Sequence, residues 1–189
     1  MGMPDTARRY TVAEVLEFPS DGNRYELVGG ELLVTPAPRR VHQRVVGKLH
    51  HTLFGYLQDY RGVAEVLMSP ADITWGSDED LVQPDLFVVV LDAAEGPNDR
   101  WDSIRTLLLA IEVISPSSTR YDRVTKRRLY QRRGVATYWV VDPDARLVEV
   151  WHPDDERPEI VTDVLRWRVA QDAPELELPL ASLFGDLPK

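Results

Sequence analysis

Leu107-Leu-Leu-Ala-Ile-Glu112-Val-Ile-Ser115-Pro-Ser-Ser-Thr119-Arg-Tyr-Asp122-Arg-Val-Thr-Lys126-Arg-Arg-Leu-Tyr130-Gln-Arg-Arg-Gly134-Val-Ala-Thr137-Tyr-Trp-Val-Val141 is the stretch that decides the fold. It opens with a short apolar run, passes through a Pro/Ser/Thr turn and continues as a basic segment of helical character over 120–133. Gly134 stops that segment, and a second apolar run follows at 137–141. A buried strand, a crossover helix and another buried strand form a βαβ unit, which requires a parallel pair. Glu112 interrupts the first run. A carboxylate at a buried strand position is costly unless a cation or hydrogen bonds compensate it.

A second run, 83–90, has the same character: Gln83-Pro-Asp85 leads into Leu86-Phe-Val-Val-Val90. Two acids, one from each of two neighbouring buried strands, suit a hard divalent cation, which takes oxygen ligands and is held by few carboxylates plus water. Period-2 alternation allows a plainer reading of Glu112, as a strand residue on a face open to water. Asp85 has one too, as a solvated strand-entry carboxylate. In the crossover helix, helical spacing puts Asp122, Lys126, Leu129, Tyr130 and Arg133 on one side. Leu129 and Tyr130 mark that side as the core face, although Val124 falls off it. Lys126 is therefore positioned either to neutralise Glu112 and act on a reacting group, or to lay its stem over apolar surface. Asp122, one turn earlier, has i,i+4 spacing to Lys126. Ser115, Ser117, Ser118 and Thr119 read as helix-capping residues.

Around this centre the chain reads as short elements. A capping box at Thr11 and Glu14 starts a helix over 12–18. Gly29-Gly30 joins two strands, 24–28 and 31–35, into a hairpin. Val41, Val45, Leu49, Leu53 and Leu57 recur at i+4 and predict one long helix from Arg39 to about Tyr60. Strands are expected at 63–68 and 72–75, a polar insertion at 91–105, a strand at 147–151 pairing with 137–141, weaker strands at 161–165 and 167–169, and a last helical turn at 180–184. The class is α/β with a mixed sheet and one parallel crossover. The first hairpin also carries Glu26 and Glu31, and the long helix opens near His42. Each is expected within reach of the site as an accessory ligand or proton carrier; Glu31 reads equally as a solvated hairpin residue, and His42 reads first as a hydrogen-bonded structural histidine.

Length and composition set the outer limits. A chain of 189 residues, 43% hydrophobic and 28% charged, is expected to be one globular domain with residues 1–10 as a loose terminus. Having no cysteine excludes disulfides, thiolate nucleophiles and Cys-ligated zinc, and suits the cytoplasm. The N-terminus lacks a signal-type apolar region, and no run reaches the ~18 residues of a membrane span. The net charge of −9 argues against broad polyanion binding. Against it stands the cluster Arg120, Arg123, Lys126, Arg127, Arg128, Arg132 and Arg133, from which weak, salt-sensitive nucleic-acid binding is expected. No Gly-x-Ser-x-Gly elbow, phosphate-binding glycine loop or His-Glu-x-x-His pattern is present.

Several motifs stand in one order: Tyr25-Glu-Leu-Val-Gly-Gly-Glu-Leu32, Pro36-Ala-Pro38, His42, Gln83-Pro-Asp85, Glu112-Val-Ile-Ser-Pro-Ser117, Asp122, Lys126, Tyr130, and Gly134-Val-Ala-Thr-Tyr-Trp-Val-Val-Asp142. In this set the chain resembles the Uma2 family (DUF820), placed among the restriction-endonuclease-like PD-(D/E)XK folds. The resemblance implies a mixed sheet flanked by helices and Mg²⁺- or Mn²⁺-dependent phosphodiester hydrolysis, of DNA before other substrates. It implies Asp85 and Glu112 as the acids holding the metal. Ile114 stands where the superfamily usually has lysine, so Lys126 takes that role, with Gln83, Glu31, His42 and Asp122 as accessory residues. A homodimer is implied too, for which Trp151 and Trp167 are the exposed candidates. The competing expectation is the same fold used as a non-catalytic module for assembly or regulation, favoured by Ile114 and by the acidic charge; a third is a hydrolase of small phosphoesters, favoured by a cleft too narrow for a duplex.

Overall fold

The computed structural model describes residues 8–91, 101 and 104–187. Six strands form the central sheet: β3 (Ala64–Met68), β4 (Leu86–Val90), β5 (Leu107–Val113), β6 (Thr137–Asp142), β7 (Leu147–Trp151) and β8 (Glu159–Val161), in that spatial order. Only β5 and β6 run parallel, with Glu112 opposite Val140, as the βαβ reading requires. The β6–β7 hairpin is present as expected.

The apolar run of β5 is nearly continuous because both of its faces are covered. Leu109, Ile111 and Val113 point to one core with Val45, Leu49 and Leu53 of α2 (Arg40–Leu57). Ala110 and Ile114 point to the other, with Leu129 and Tyr130. Glu112 alternates onto this second side. α2 ends three residues before the expected limit and continues as a 3₁₀ turn, Gln58–Tyr60.

The crossover departs from a single α-helix. Tyr121–Lys126 is π-helical and leads into α3 (Arg127–Arg132). Asp122 O accepts the Arg127 N–H across the wider turn and also the Tyr138 hydroxyl, at 3.0 Å. π segments of this kind recur at functional sites. Asp122, Lys126, Leu129 and Tyr130 all face inward, while Val124 is exposed.

The N-terminal part docks on the second face. α1 (Val12–Leu16) carries the expected capping box. β1 (Arg24–Val28) and β2 (Glu31–Thr35) form a separate antiparallel hairpin. Its turn needs positive φ at both central positions, and Gly29 (56°) and Gly30 (79°) supply it. Leu27 and Leu81 exchange backbone hydrogen bonds of 2.7 and 2.8 Å, which fixes the hairpin against the 72–85 segment.

Some boundaries differ. The strand expected at 72–75 reduces to one bridge, Ile73 to Val82. The strands expected at 161–165 and 167–169 are displaced to β8 and β9 (Val164–Trp167), because the chain bends at Thr162 and Asp163. β9 pairs with an unforeseen β10 (Leu176–Pro179), which feeds α4 (Leu180–Phe184) back onto α2. Of the 91–105 insertion, residues 92–100, 102 and 103 lie outside the described residues, as do 1–7 of the N-terminus expected to be loose. Trp151 and Trp167 are buried, contrary to their expected exposure. Trp151 lies under the Arg127 guanidinium at 4.6 Å, and Trp167 packs edge-on against Trp139 and Tyr56. No helix among the described residues is long and apolar enough to cross a membrane.

Candidate functional site

Asp85 is the last residue before β4, and it is 4% exposed, not solvated. Its Oδ2 accepts the N–H of Val113, the residue after Glu112, at 2.9 Å. The same oxygen lies 2.8 Å from His42 Nε2, with the carboxylate as acceptor. Oδ1 accepts from the Arg24 guanidinium at 2.9 Å, and that guanidinium also donates to Gln83 O at 3.0 Å. Asp85 thus ties together β1, the start of α2 and the end of β5.

Glu112 is 2% exposed, so the water-facing reading of its strand face does not hold. Its Oε1 accepts from Lys126 Nζ at 3.1 Å and from the Tyr130 hydroxyl at 2.9 Å. Lys126, 3% exposed, does not reach to solvent. Its ammonium sits among three carboxylates: Glu26 Oε2 at 2.8 Å, Glu112 Oε1 at 3.1 Å and Asp122 Oδ1 at 3.3 Å. Glu26 is anchored in turn by the Gln83 N–H, which donates to its Oε1 at 2.7 Å.

The structure therefore brings Asp85, Glu112, Lys126, Asp122, His42 and Gln83 to one place. Gln83 serves through its backbone, since its side-chain amide donates to Asp72. Glu31 does not join them. It is exposed beside the hairpin turn, as its solvated reading has it, and Glu26 is the hairpin acid that reaches the site. Both acids lie on one hairpin face by register, since Glu26 pairs with Leu33 and Val28 with Glu31. Glu26 is the one next to the Leu27–Leu81 clasp, and so the one that is covered. Arg24 is the residue that sequence reasoning missed. Its only signal was its period-2 relation to Glu26 at the start of the same strand.

The electrostatics follow from burial. For Asp85, burial opposes ionisation, but the His42 hydrogen bond and the Arg24 charge outweigh it and hold the carboxyl down to about 2. For Glu112, burial dominates; Lys126 offsets it only partly, and the nearby acids Asp122, Asp85 and Glu26 push it further, so its pKa stands well above the usual range. Asp122 is raised for the same reasons, burial first. Burial disfavours the Lys126 ammonium, yet the three carboxylates around it raise its pKa well above the ordinary value and keep it charged. Burial also raises Tyr130 strongly, with Glu112 adding to it, so Tyr130 is a neutral donor.

Four carboxylates, Glu26, Asp85, Glu112 and Asp122, thus face two permanent cations, Arg24 and Lys126. Glu26 Oε2 and Asp122 Oδ1 face the ammonium but accept no hydrogen bond of good geometry. The basic run offers little compensation. Arg123 is engaged by Asp142 and Glu149, and Arg133 by Asp80. The site lines a cavity of about 610 Å³ whose rim includes Pro36–Arg39 and Ser115–Ser118. α2 begins at this rim without a side-chain cap and with no acid in its first turn, leaving its N-terminal N–H groups as a positive edge.

The Uma2 family model, described as "Putative restriction endonuclease", matches residues 12–181. A crystal structure from Anabaena variabilis ATCC 29413, described as "a putative nuclease belonging to DUF820", matches at 24% sequence identity with a TM-score of 0.72, covering 93% of this chain and 97% of that one. An identity this low establishes the common fold, a mixed sheet flanked by helices. No protein of curated function matches this chain.

Proposed function

This chain belongs to the Uma2 family, and from that premise we propose that it is a metal-dependent nuclease hydrolysing phosphodiester bonds, with DNA as the substrate. The observation that carries the reading is the convergence of Asp85, Glu112 and buried Lys126 on one cavity. A chain built only for stability gains little from such a cluster, because buried charges rarely outperform apolar packing.

The residues fit a hard divalent ion. Carboxylate oxygen is the donor chemistry that Mg²⁺ and Mn²⁺ prefer. The buried acids, Glu26, Asp85, Glu112 and Asp122, outnumber the fixed cations, Arg24 and Lys126. Among the described residues no three His, Asp or Glu groups make a ready cage, so Asp85 and Glu112 would hold the ion together with water and substrate oxygens. When bound, the ion supplies a water of lowered pKa and positive charge at the phosphate. Lys126, locked by Glu26 and Asp122, presents a fixed ammonium that orients the attacking water or steadies charge developing on the phosphate oxygens. Arg24, a fifth exposed on its side chain, is a second cation at the same wall. His42 keeps an unpartnered Nδ1 for proton transfer while its Nε2 positions Asp85.

The test is cleavage of plasmid and oligonucleotide DNA with Mg²⁺ or Mn²⁺ at low salt, alongside calorimetric titration of each ion. Cleavage that EDTA stops and E112Q abolishes supports the reading. A protein that binds neither ion and cuts nothing removes it. One observation favours the second reading, a non-catalytic module: Asp85 is already neutralised by Arg24 at 2.9 Å. In that case Mg²⁺ leaves both the melting temperature and the DNA unchanged. The proposal extends to a cytoplasmic homodimer, for which molecular mass in solution is the direct measurement.

A further inference from the structure

The proposed chemistry sits on the wall of a half-open pocket. Asp85, Glu112 and Lys126 are almost fully buried, and the space above them is about 610 Å³. That falls in the roughly 300–1,000 Å³ range of small-molecule sites. A base that is stacked and paired within a duplex cannot enter such a space without being extruded. A single nucleotide of an unpaired strand can enter it.

The wall has a matching character. Pro36, Pro38, Pro70 and Pro116 line the cavity, with Ala37 between the first two. These rings are rigid and apolar and give an unstacked base a surface to rest on. Gln43, exposed at the same rim, makes no side-chain hydrogen bond among the described residues and is free to meet a base edge.

Charge points the same way. Duplex binding depends on a basic track that releases counterions, and single strands rely on it less. Here the net charge is −9, and Arg123, Lys126 and Arg133 are engaged internally. Apolar contact between a base and the proline rings can replace part of the missing ionic attraction.

We infer that this pocket takes an unpaired nucleic-acid strand, with one base against the proline wall, and excludes the intact duplex. The inference rests on the nuclease reading for its chemistry, but its test reads binding first.

One labelled oligonucleotide is presented as a single strand, as a blunt duplex and as a duplex with an unpaired tail. Fluorescence anisotropy is measured in EDTA at low salt, with a mononucleotide as competitor, and cleavage is then followed with Mg²⁺ or Mn²⁺. The single strand and the tailed duplex are expected to bind at least about tenfold tighter than the blunt duplex. Gln43→Ala, at an exposed position, is expected to reduce that preference without changing the melting temperature. Equal or tighter binding of the blunt duplex overturns the inference. So does an absence of binding to any strand, or binding of the mononucleotide alone. If the blunt duplex is cut as fast as the single strand, the inference fails and the nuclease reading stands. If the binding preference holds but neither ion supports cleavage, the nuclease reading fails and the pocket assignment stands.

Discussion

Replacing Lys126 with methionine tests the centre of the structure, because the change keeps the unbranched apolar stem and deletes the ammonium group at its end. In the wild type the ammonium lies 2.8, 3.1 and 3.3 Å from Glu26, Glu112 and Asp122, and all four groups are buried. Removing one partner of a buried ion pair costs about 3–5 kcal/mol, since the other charge is left without compensation. For a chain of this size 1 kcal/mol moves the melting temperature by roughly 2–4 °C, so Lys126→Met is expected to melt about 6–20 °C lower at pH 8. The loss depends on pH in a defined direction. Glu112 is already raised above 4.5 in the folded protein, chiefly by burial, and losing Lys126 raises it further. The folded state then holds a proton that the unfolded chain releases above about 4.5, so the stability of the variant falls as pH rises above that value. Circular-dichroism melts and urea titrations at pH 5 and pH 8 measure this. The defect should be smaller at pH 5, and adding Glu112→Gln should recover part of it at pH 8. A variant within about 1 kcal/mol of wild type at pH 8, or one more damaged at pH 5 than at pH 8, refutes the role of Lys126 as the internal counter-ion.

Other perturbations separate the remaining parts of the site. Asp85 is depressed from 3.8 to about 2, so its stabilising contribution is complete above 3.8 and is lost as pH falls towards 2. Arg24→Met should therefore move the acid-unfolding midpoint, followed by tryptophan fluorescence, to higher pH, and an unchanged midpoint would show that Arg24 does not hold this carboxylate. Tyr130→Phe deletes one donor to Glu112 and should cost about 1–3 kcal/mol in urea unfolding, with a near-neutral result counting against the hydrogen bond as a support. Saturating Mg²⁺ or Mn²⁺ should raise the melting temperature of the wild type by mass action, about 2.7 kcal/mol at a hundred times the dissociation constant, whereas Glu112→Gln should abolish the response; equal shifts in both proteins would place the ion elsewhere. Glu31→Ala, at an exposed position, should leave stability within about 0.5 kcal/mol and cleavage unaltered, and a strong loss of activity would return that residue to the site.

Local pattern was enough for most of this architecture. The run at 107–113 could be read as a doubly covered strand because its apolar residues do not alternate with polar ones, and that made Glu112 conspicuous. Lys126 could be placed inward because its spacing to Leu129 and Tyr130 is helical, and it stays inward through the π-helical segment. Periodicity decides which face of an element a residue occupies, and each element carries its own periodicity in sequence. What covers that face is decided elsewhere in the chain. Glu26 and Glu31 share a hairpin face, and only the docking of Leu27 on Leu81 buries the first and leaves the second in water. Arg24 meets Asp85 across 61 positions of sequence, and His42 meets it across 43. The burial of Trp151 and Trp167 likewise depends on partners from distant elements. The identity of the acids was therefore local information. Their counter-charges, their shifted pKa values and the depth of the pocket above them came from packing, because desolvation and ion pairing are properties of the space around a group and not of the residues beside it in the chain.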